Sequence, residues 1–228
     1  MKISGFQKLT LLDFPDKLAC IIFTQGCNFN CQYCQNSGLI GHENEYLIDE
    51  EEIFNYLDKR KKVIDGLVVS GGEPTVQKDL IRFIKRVKDH GFLVKLDTNG
   101  SNPKVLKELI DHNLVDYIAM DIKNVFALYK EVTFTNPVVK NLEESIKLIS
   151  NSNIDHEFRT TIIKNIHDID KILKICSYVD NNQKMFLQNF EQSENVKDKS
   201  LESFNKEELI DIQKKVRERF PNVKVRGV

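Results

Sequence analysis

The sequence predicts an α/β fold, a partial (β/α)6 barrel, and three observations carry that reading. Six short runs rich in β-branched and aromatic residues recur along the chain, amphipathic helical stripes separate them, and chemically distinctive residues gather where the runs end. Strands alternating with helices pair in parallel through right-handed crossovers, which brings their C-terminal ends to one rim. At 228 residues the chain is long enough for a large core but short for a closed eightfold barrel, so the sheet is expected to curl without closing. The expected organisation is one domain over 1–228, with a core at about 17–191 and a helix and strand extension at about 204–228.

The predicted strands are 19–24, 66–70, 92–97, 115–121, 156–163 and 184–189. Between them, Leu80, Ile84 and Val87 stand at i, i+4, i+7, and Leu142, Ile146 and Ile149 repeat the stripe, so each helix can bury one face against the sheet. Lys59-Arg60-Lys61-Lys62 ends a helix whose start is acidic, a placement the helix dipole favours without any nucleic-acid ligand. Pro103 and Pro137 suit the first turn of a helix or the residues just before it. Cys176 falls on the stripe Ile169, Ile172, Leu173, Cys176, Val179, and Cys20 lies within the first strand; both read as small buried hydrophobes. Segment 183–203 is polar and, from its place around the sixth strand, can reach over the rim as a partner-contacting element. A last amphipathic helix spans 207–220, with Leu209, Ile212 and Val216 on one face.

Composition excludes several classes. With 33 basic and 34 acidic residues the net charge is −1, so no global field draws the chain to nucleic acid or to an anionic membrane. No apolar run has the length of a membrane span, and the first residues include Lys, Gln and Asp, so a cytoplasmic protein is expected. Five cysteines, an odd number, argue against a disulfide framework.

Three of those cysteines lie in Gly26-Cys27-Asn28-Phe29-Asn30-Cys31-Gln32-Tyr33-Cys34. The C-x3-C-x2-C spacing lets one short loop present three thiolates to one metal centre. A four-iron cluster normally takes four Cys ligands, so three leave one iron open to a non-protein ligand, and an open position is where chemistry takes place. Zinc would need a fourth ligand such as His42, in a spacing unlike the common zinc patterns. A redox pair of Cys31 and Cys34 would leave Cys27 unexplained. His42, His90, His112, His156 and His167 form no spaced set, and none is assigned to catalysis.

With aromatic Tyr33 before the third Cys, and Val68-Val69-Ser70-Gly71-Gly72-Glu73-Pro74 downstream after a β-rich run, the chain resembles the radical S-adenosylmethionine (radical SAM) superfamily. The resemblance implies a TIM-like barrel of that type, a [4Fe-4S] cluster on Cys27, Cys31 and Cys34, and S-adenosylmethionine (SAM) whose amino group meets the Gly-Gly-Glu-Pro turn. There Gly71 and Gly72 permit close backbone approach, Glu73 supplies an acceptor for the ammonium, and Pro74 stiffens the exit. Leu96-Asp97-Thr98-Asn99-Gly100 and Met120-Asp121-Ile122-Lys123 look like the strand ends around the SAM methionine moiety in pyruvate formate-lyase activating enzyme. By that likeness Asp97 and Asp121 would be hard oxygen ligands of a monovalent cation, and Lys123 would pair with the SAM carboxylate; the plain alternative for 97–100 is a turn and helix start. Arg159 resembles an arginine that contacts the same carboxylate, against the alternative of a surface ion pair. Gln188 is a candidate for the adenosyl end, and Tyr33 lies against the adenine or simply packs.

The opening, through Gly5-Phe6-Gln7, Leu12-Asp13-Phe14-Pro15 and Phe23-Thr24-Gln25-Gly26-Cys27, is similar to the activating enzymes of glycyl-radical enzymes. So is Glu157-Phe158-Arg159-Thr160-Thr161, and the nearest group is that of the anaerobic ribonucleoside-triphosphate reductase activating proteins. This implies reductive cleavage of SAM to a 5′-deoxyadenosyl radical, a glycyl radical made on that reductase or another glycyl-radical enzyme, and a flavodoxin-like or ferredoxin-like electron donor. One departure stands out: that group usually has His-Asn-Pro after the third Cys, where this chain has Gln35, Asn36 and Ser37. Two other readings remain, a radical SAM enzyme acting on a small molecule such as a deazapurine precursor, and a non-enzymatic cluster-bearing redox sensor.

Overall fold

The computed structural model describes residues 1–41 and 46–226; His42, the candidate fourth zinc ligand, lies outside the described residues. Eight strands form one sheet in chain order: β1 (Ile3–Thr10), β2 (Ala19–Thr24), β3 (Gly66–Gly71), β4 (Leu93–Thr98), β5 (Tyr117–Asp121), β6 (Asp155–Ile162), β7 (Met185–Asn189) and β8 (Val223–Arg226). β2 to β8 run parallel, while β1 pairs antiparallel with β2. The sheet has β1 and β8 as its two edges, so it is open. The helices are α1 (Glu50–Arg60), α2 (Leu80–Asp89), α3 (Pro103–Asp111), α4 (Tyr129–Thr133), α5 (Val139–Ser150), α6 (Ile169–Cys176) and α7 (Lys206–Arg217).

The six expected strands are β2 to β7, with ends shifted by two residues at most. β1 is an addition to them, and the reason is visible in its burial: of eight residues only Ile3 and Thr10 are buried, so it carries little period-two signal and is held by its pairing to β2. Alternate residues of the strands serve two cores. Cys20 and Ile22, Leu67 and Val69, Val94 and Leu96 face the helices in the main core, where Leu80, Phe83, Ile84 and Val87 of α2 and Leu142, Ile146 and Ile149 of α5 meet them. Ala19, Ile21, Val68 and Tyr117 face the other way and pack with Phe14, from the loop after β1, as a plug inside the curl. Burying each such large side chain contributes about 1.5–3 kcal/mol.

Helix ends follow the sequence cues. Asp49 caps α1 by accepting from the Glu51 N–H, with Glu50 to Glu52 in its first turn and Lys59 and Arg60 in its last. Pro103 opens α3, and Asn205 with Glu208 forms a reciprocal capping box on α7. Cys20 and Cys176 are buried as expected, and burial pushes both thiols up to about 12. Between β7 and α7 the chain makes a closed loop over 190–204. Asn189 clasps its far end by donating to the Phe204 carbonyl (2.9 Å) and accepting from the Phe204 N–H (3.1 Å), and Val196 and Leu201 anchor it inside. Among the described residues no helix is long and apolar enough to cross a membrane.

Candidate functional site

A cavity of about 520 Å³ is lined by Gln7, Phe23, Gly71, Asp97, Asp121, Arg159, Gln188 and Arg226, one or more residues from every strand. The sheet is therefore curled around it. Cys27, Cys31, Tyr33, Cys34, Gly72, Glu73, Thr98, Asn99 and Lys123 complete the wall at the C-terminal rim, so the motifs separated in sequence do meet.

The glycines explain how two of these motifs touch. The Gly72 N–H donates to the Thr24 carbonyl (2.9 Å) and the Glu73 N–H to the Gly26 carbonyl (2.9 Å), which lays the end of β3 against the start of the cysteine loop. A Cβ on Gly72 would stand 2.1 Å from the Gly26 oxygen, and one on Gly71, whose φ is +117°, would stand 2.2 Å from the Thr24 nitrogen. Farther along, the Asn30 N–H donates to the Thr133 carbonyl (2.8 Å) and the Cys34 N–H to the Cys31 carbonyl (3.2 Å), fixing the loop after its first thiol.

The donor set fits a polynuclear iron–sulfur centre. Cys31 is buried, with Cys27 and Cys34 half-buried, and burial raises Cys31 and takes Cys27 up to about 12, so these two are neutral thiols in the metal-free chain. Bound iron supplies the positive charge that ionises such groups. Among the described residues no three His, Cys, Asp or Glu side chains stand close enough to hold a single ion. Three thiols on one cavity wall are the donor set that a cluster with one open iron would take.

Glu73 is buried and heavily hydrogen-bonded. It is 1% exposed, and its carboxylate accepts from the Thr75 N–H (3.1 Å), the Thr75 hydroxyl, the Thr98 hydroxyl (2.8 Å) and the Asn99 N–H (2.6 Å). Three of these bonds fall on Oε1 and one on Oε2, so of the roughly four acceptor sites of a carboxylate one on Oε2 is left. Burial pushes its pKa up, and these hydrogen bonds act against that rise. Glu73 is thus a brace joining the turn after β3 to the end of β4, and it lines the cavity together with Gly71 and Gly72.

Charges at the ends of β4, β5 and β6 are interlocked. Asp97 meets Lys95 at 2.6 Å, Ser70 at 3.1 Å and Arg159 at 3.6 Å; Asp121 meets Arg159 at 2.8 Å and Lys123 at 3.5 Å. Arg159 is no surface ion pair: its side chain is only 15% exposed. Burial opposes ionisation of Asp121, but Arg159 and Lys123 beside it outweigh burial and hold its pKa down. For Lys123 burial is likewise outweighed, by the ionised Asp121 beside it, and its pKa is raised. Two carboxylates against three cations leave a positive excess, which invites an anionic ligand. Tyr33 lies beneath the ammonium of Lys123, 5.8 Å from ring centre to Nζ.

Two residues here carry no sequence signal. Tyr129 accepts from the Lys123 N–H (3.0 Å), and His167, fully buried, donates from Nε2 to the Lys123 carbonyl (3.3 Å) while Nδ1 accepts from the Ile163 N–H (3.0 Å). They hold the backbone that carries Lys123. Burial takes the His167 pKa down from 6.5 to about 4, with Lys171 pushing the same way and Asp168 against it. The unfolded chain therefore binds a proton first on acidification. The contribution of the neutral ring is complete above about pH 6.5 and is lost as pH falls toward 4, a cost of about 3 kcal/mol in full. Thermal unfolding at pH 7 and pH 4.5 should show a clearly smaller acid loss for His167→Gln than for the parent; equal losses would remove this account.

The residues at the departure after Cys34 have a local role. Gln35 donates to the Glu191 carbonyl (3.1 Å), Ser37 to the Asn195 carbonyl (2.5 Å) and Lys197 to the Asn30 side chain (2.6 Å), while the Gln32 carbonyl accepts from the N–H groups of Lys197 and Asp198. The loop over 190–204 thus straps the cysteine loop, as the expected reach of that segment over the rim requires.

Comparison with known proteins agrees. Residues 21–176 match the family model described as the radical SAM superfamily. A Methanocaldococcus jannaschii protein provisionally named a glycyl-radical enzyme activating enzyme is 36% identical over 99% of this chain and 96% of its own length. The pyruvate formate-lyase-activating enzyme of Clostridium pasteurianum is 26% identical over 91% of this chain and 98% of its own. Among solved structures, Streptococcus suis SuiB bound to S-adenosylmethionine aligns with a TM-score of 0.70 at 14% identity, over 89% of this chain and 48% of SuiB, so the chain spans about half of that protein. QueE from Escherichia coli aligns with a TM-score of 0.58 at 12% identity, over 99% of this chain and 93% of QueE. At such identities the likeness is one of fold.

Proposed function

This chain belongs to the radical SAM superfamily and is homologous to glycyl-radical enzyme activating enzymes, and from that premise we propose that it makes a glycyl radical on the anaerobic ribonucleoside-triphosphate reductase. It is an oxidoreductase of that superfamily. The observation that carries the reading is the match along nearly the whole of both chains to a protein named for glycyl-radical activation. When bound, the [4Fe-4S] cluster and SAM supply the hard chemistry, reductive cleavage of the sulfonium and removal of one hydrogen atom from a backbone glycine of the partner.

In this reading the chain's residues bind and orient. Cys27, Cys31 and Cys34 would hold the cluster. Lys123 and Arg159 receive the SAM carboxylate, since they supply the positive excess beside Asp97 and Asp121. The backbone of Gly71 and Gly72 takes the ammonium, with Glu73 and Pro74 setting the turn, and Tyr33 packs toward the adenine. A monovalent cation near Asp97 and Asp121 would share those carboxylates with Lys95, Lys123 and Arg159. The domain is taken as 1–228, the location as cytoplasmic, and the electron donor as a flavodoxin-like or ferredoxin-like protein. The other cysteines, Cys20 and Cys176, are buried in the hydrophobic core, which supports a single cluster.

Electron paramagnetic resonance tests this. Reconstituted, reduced protein mixed with SAM and the host's anaerobic ribonucleotide reductase should give a glycyl-radical doublet that needs SAM and Cys34. Release of 5′-deoxyadenosine without a doublet would retain the superfamily chemistry and send the search to another substrate.

A further inference from the structure

Gln25, at the mouth of the cysteine loop, is 1% exposed and is not among the residues that line the cavity. Its Nε2 donates to the carbonyls of Gly41 (2.5 Å) and Gly38 (3.4 Å), where the chain returns from the thiols, and its Oε1 accepts from the Ser4 hydroxyl (2.6 Å). Carbonyls only accept, so the NH2 end faces them and the amide has one orientation. The Gln25 N–H donates to the Lys2 carbonyl (3.0 Å) and the Gly26 N–H to the Leu39 carbonyl (2.7 Å), which closes the outgoing limb of the loop against the returning one. From the other side Gln77, just past the Gly71 to Pro74 turn, donates from Nε2 to the Gln25 carbonyl (2.5 Å) and accepts from the Lys2 N–H (3.2 Å). Its own N–H donates to the Pro74 carbonyl (3.0 Å), so Gln77 is fixed to the exit of that turn.

We propose that Gln25 and Gln77 form a clamp that sets the distance between the cysteine thiols and the backbone of Gly71 and Gly72, so that a cluster and SAM held on the two sides meet in register. This rests on the SAM site proposed above. Neither glutamine lines the cavity, so both are positioning residues. Main-chain bonds from Gly72 to Thr24 and from Glu73 to Gly26 already join the two segments, but they grip only the outgoing limb of the loop. The Gln25 amide carries that joint across to the returning limb at Gly38 and Gly41, and the Gln25 carbonyl carries it to Gln77. Cys31 and Cys34 lie between the two limbs and therefore keep station with the turn. Glutamine suits the place, because buried irregular backbone needs partners and an amide offers two donors and an acceptor, which a carboxylate or a thioether of equal length does not.

The test uses the reconstituted holoprotein and SAM. Gln77→Met keeps the length of a half-buried side chain and leaves the Gln25 amide in place, so folding is kept, whereas Gln25→Glu turns a carboxylate toward the Gly38 and Gly41 carbonyls. With iron content and unfolding midpoint matching the parent's, Gln77→Met should bind SAM about tenfold more weakly in equilibrium dialysis. The change that SAM makes in the electron paramagnetic resonance signal of the reduced cluster should also be broadened in this variant at saturating SAM. Gln25→Glu should show the same losses and release iron to a chelator about tenfold faster than the parent. Unchanged SAM affinity and an unchanged signal in Gln77→Met overturn the clamp. So does a loss of SAM affinity that only follows lost iron or a lowered midpoint, which would leave the glutamines a part in the scaffold alone. A parent that assembles its cluster but binds no SAM sinks the SAM reading and the clamp with it, whereas a parent that binds SAM beside an unaffected Gln77→Met sinks the clamp alone.

Discussion

Replacing Cys27, Cys31 or Cys34 by Ala, one at a time, is expected to abolish cluster-dependent SAM cleavage. Each thiol stands on the cavity wall, and the nearby Asp97 and Asp121 are already paired with Lys95, Arg159 and Lys123. Among the described residues, a two-thiol remnant therefore finds neither of these carboxylates free to substitute. Iron content, visible absorbance after anaerobic reconstitution and 5′-deoxyadenosine release should all fall to background. Cys176→Ala is the matched control, because its thiol is buried in the core under α6; it should retain iron and lose only about 1 kcal/mol of stability. Full SAM cleavage by any of the three loop variants would remove that residue from the ligand set.

The second large effect belongs to Gly72→Ala. The added methyl would lie 2.1 Å from the Gly26 oxygen and 2.6 Å from its carbonyl carbon, and both are backbone rather than the far end of a side chain. Relief requires the cysteine loop to move off β3, which also strains the Glu73 N–H to Gly26 bond of 2.9 Å. The expected cost is about 4 kcal/mol, seen as a lowered unfolding midpoint together with poor iron retention. Gly38→Ala meets nothing within 4 Å and serves as the neutral comparison. A Gly72→Ala protein with normal iron and an unchanged midpoint would mean that the loop yields freely, against the tight joint described here.

What could be read in advance follows from where the signal is local. β2 to β7 are apolar runs between helical stripes, so periodicity finds them, and the cysteine and glycine motifs carry their spacing in a few residues. β1 escapes because its polar middle shows no alternation, and its pairing with β2 is a tertiary fact. Glu73 was legible as a site residue but not as a brace. Its donors Thr98 and Asn99 lie 25 and 26 residues away, and only the folded sheet shows that they tie the carboxylate to the end of β4. His167 and Tyr129 act through the backbone of Lys123, a role that leaves no pattern among side-chain types. Gln77 needs the fold before it can be connected to Gln25, 52 residues earlier.

The strap over the cysteine loop has a consequence for how the protein is made. Gln35 reaches Glu191 across 156 residues, Ser37 reaches Asn195 across 158, and Asn30 reaches Lys197 across 167. At about 5–20 residues per second of synthesis, the three thiols leave the ribosome roughly 10–30 s before their fastening exists. During that interval the loop lacks the contacts that fix it, and closing so long a span is entropically slow. Iron offered to the nascent chain meets flexible thiols; iron offered after release meets a fastened loop. Cluster insertion should therefore follow completion of the polypeptide, and a chain truncated before Glu191 should bind iron loosely however intact its motif.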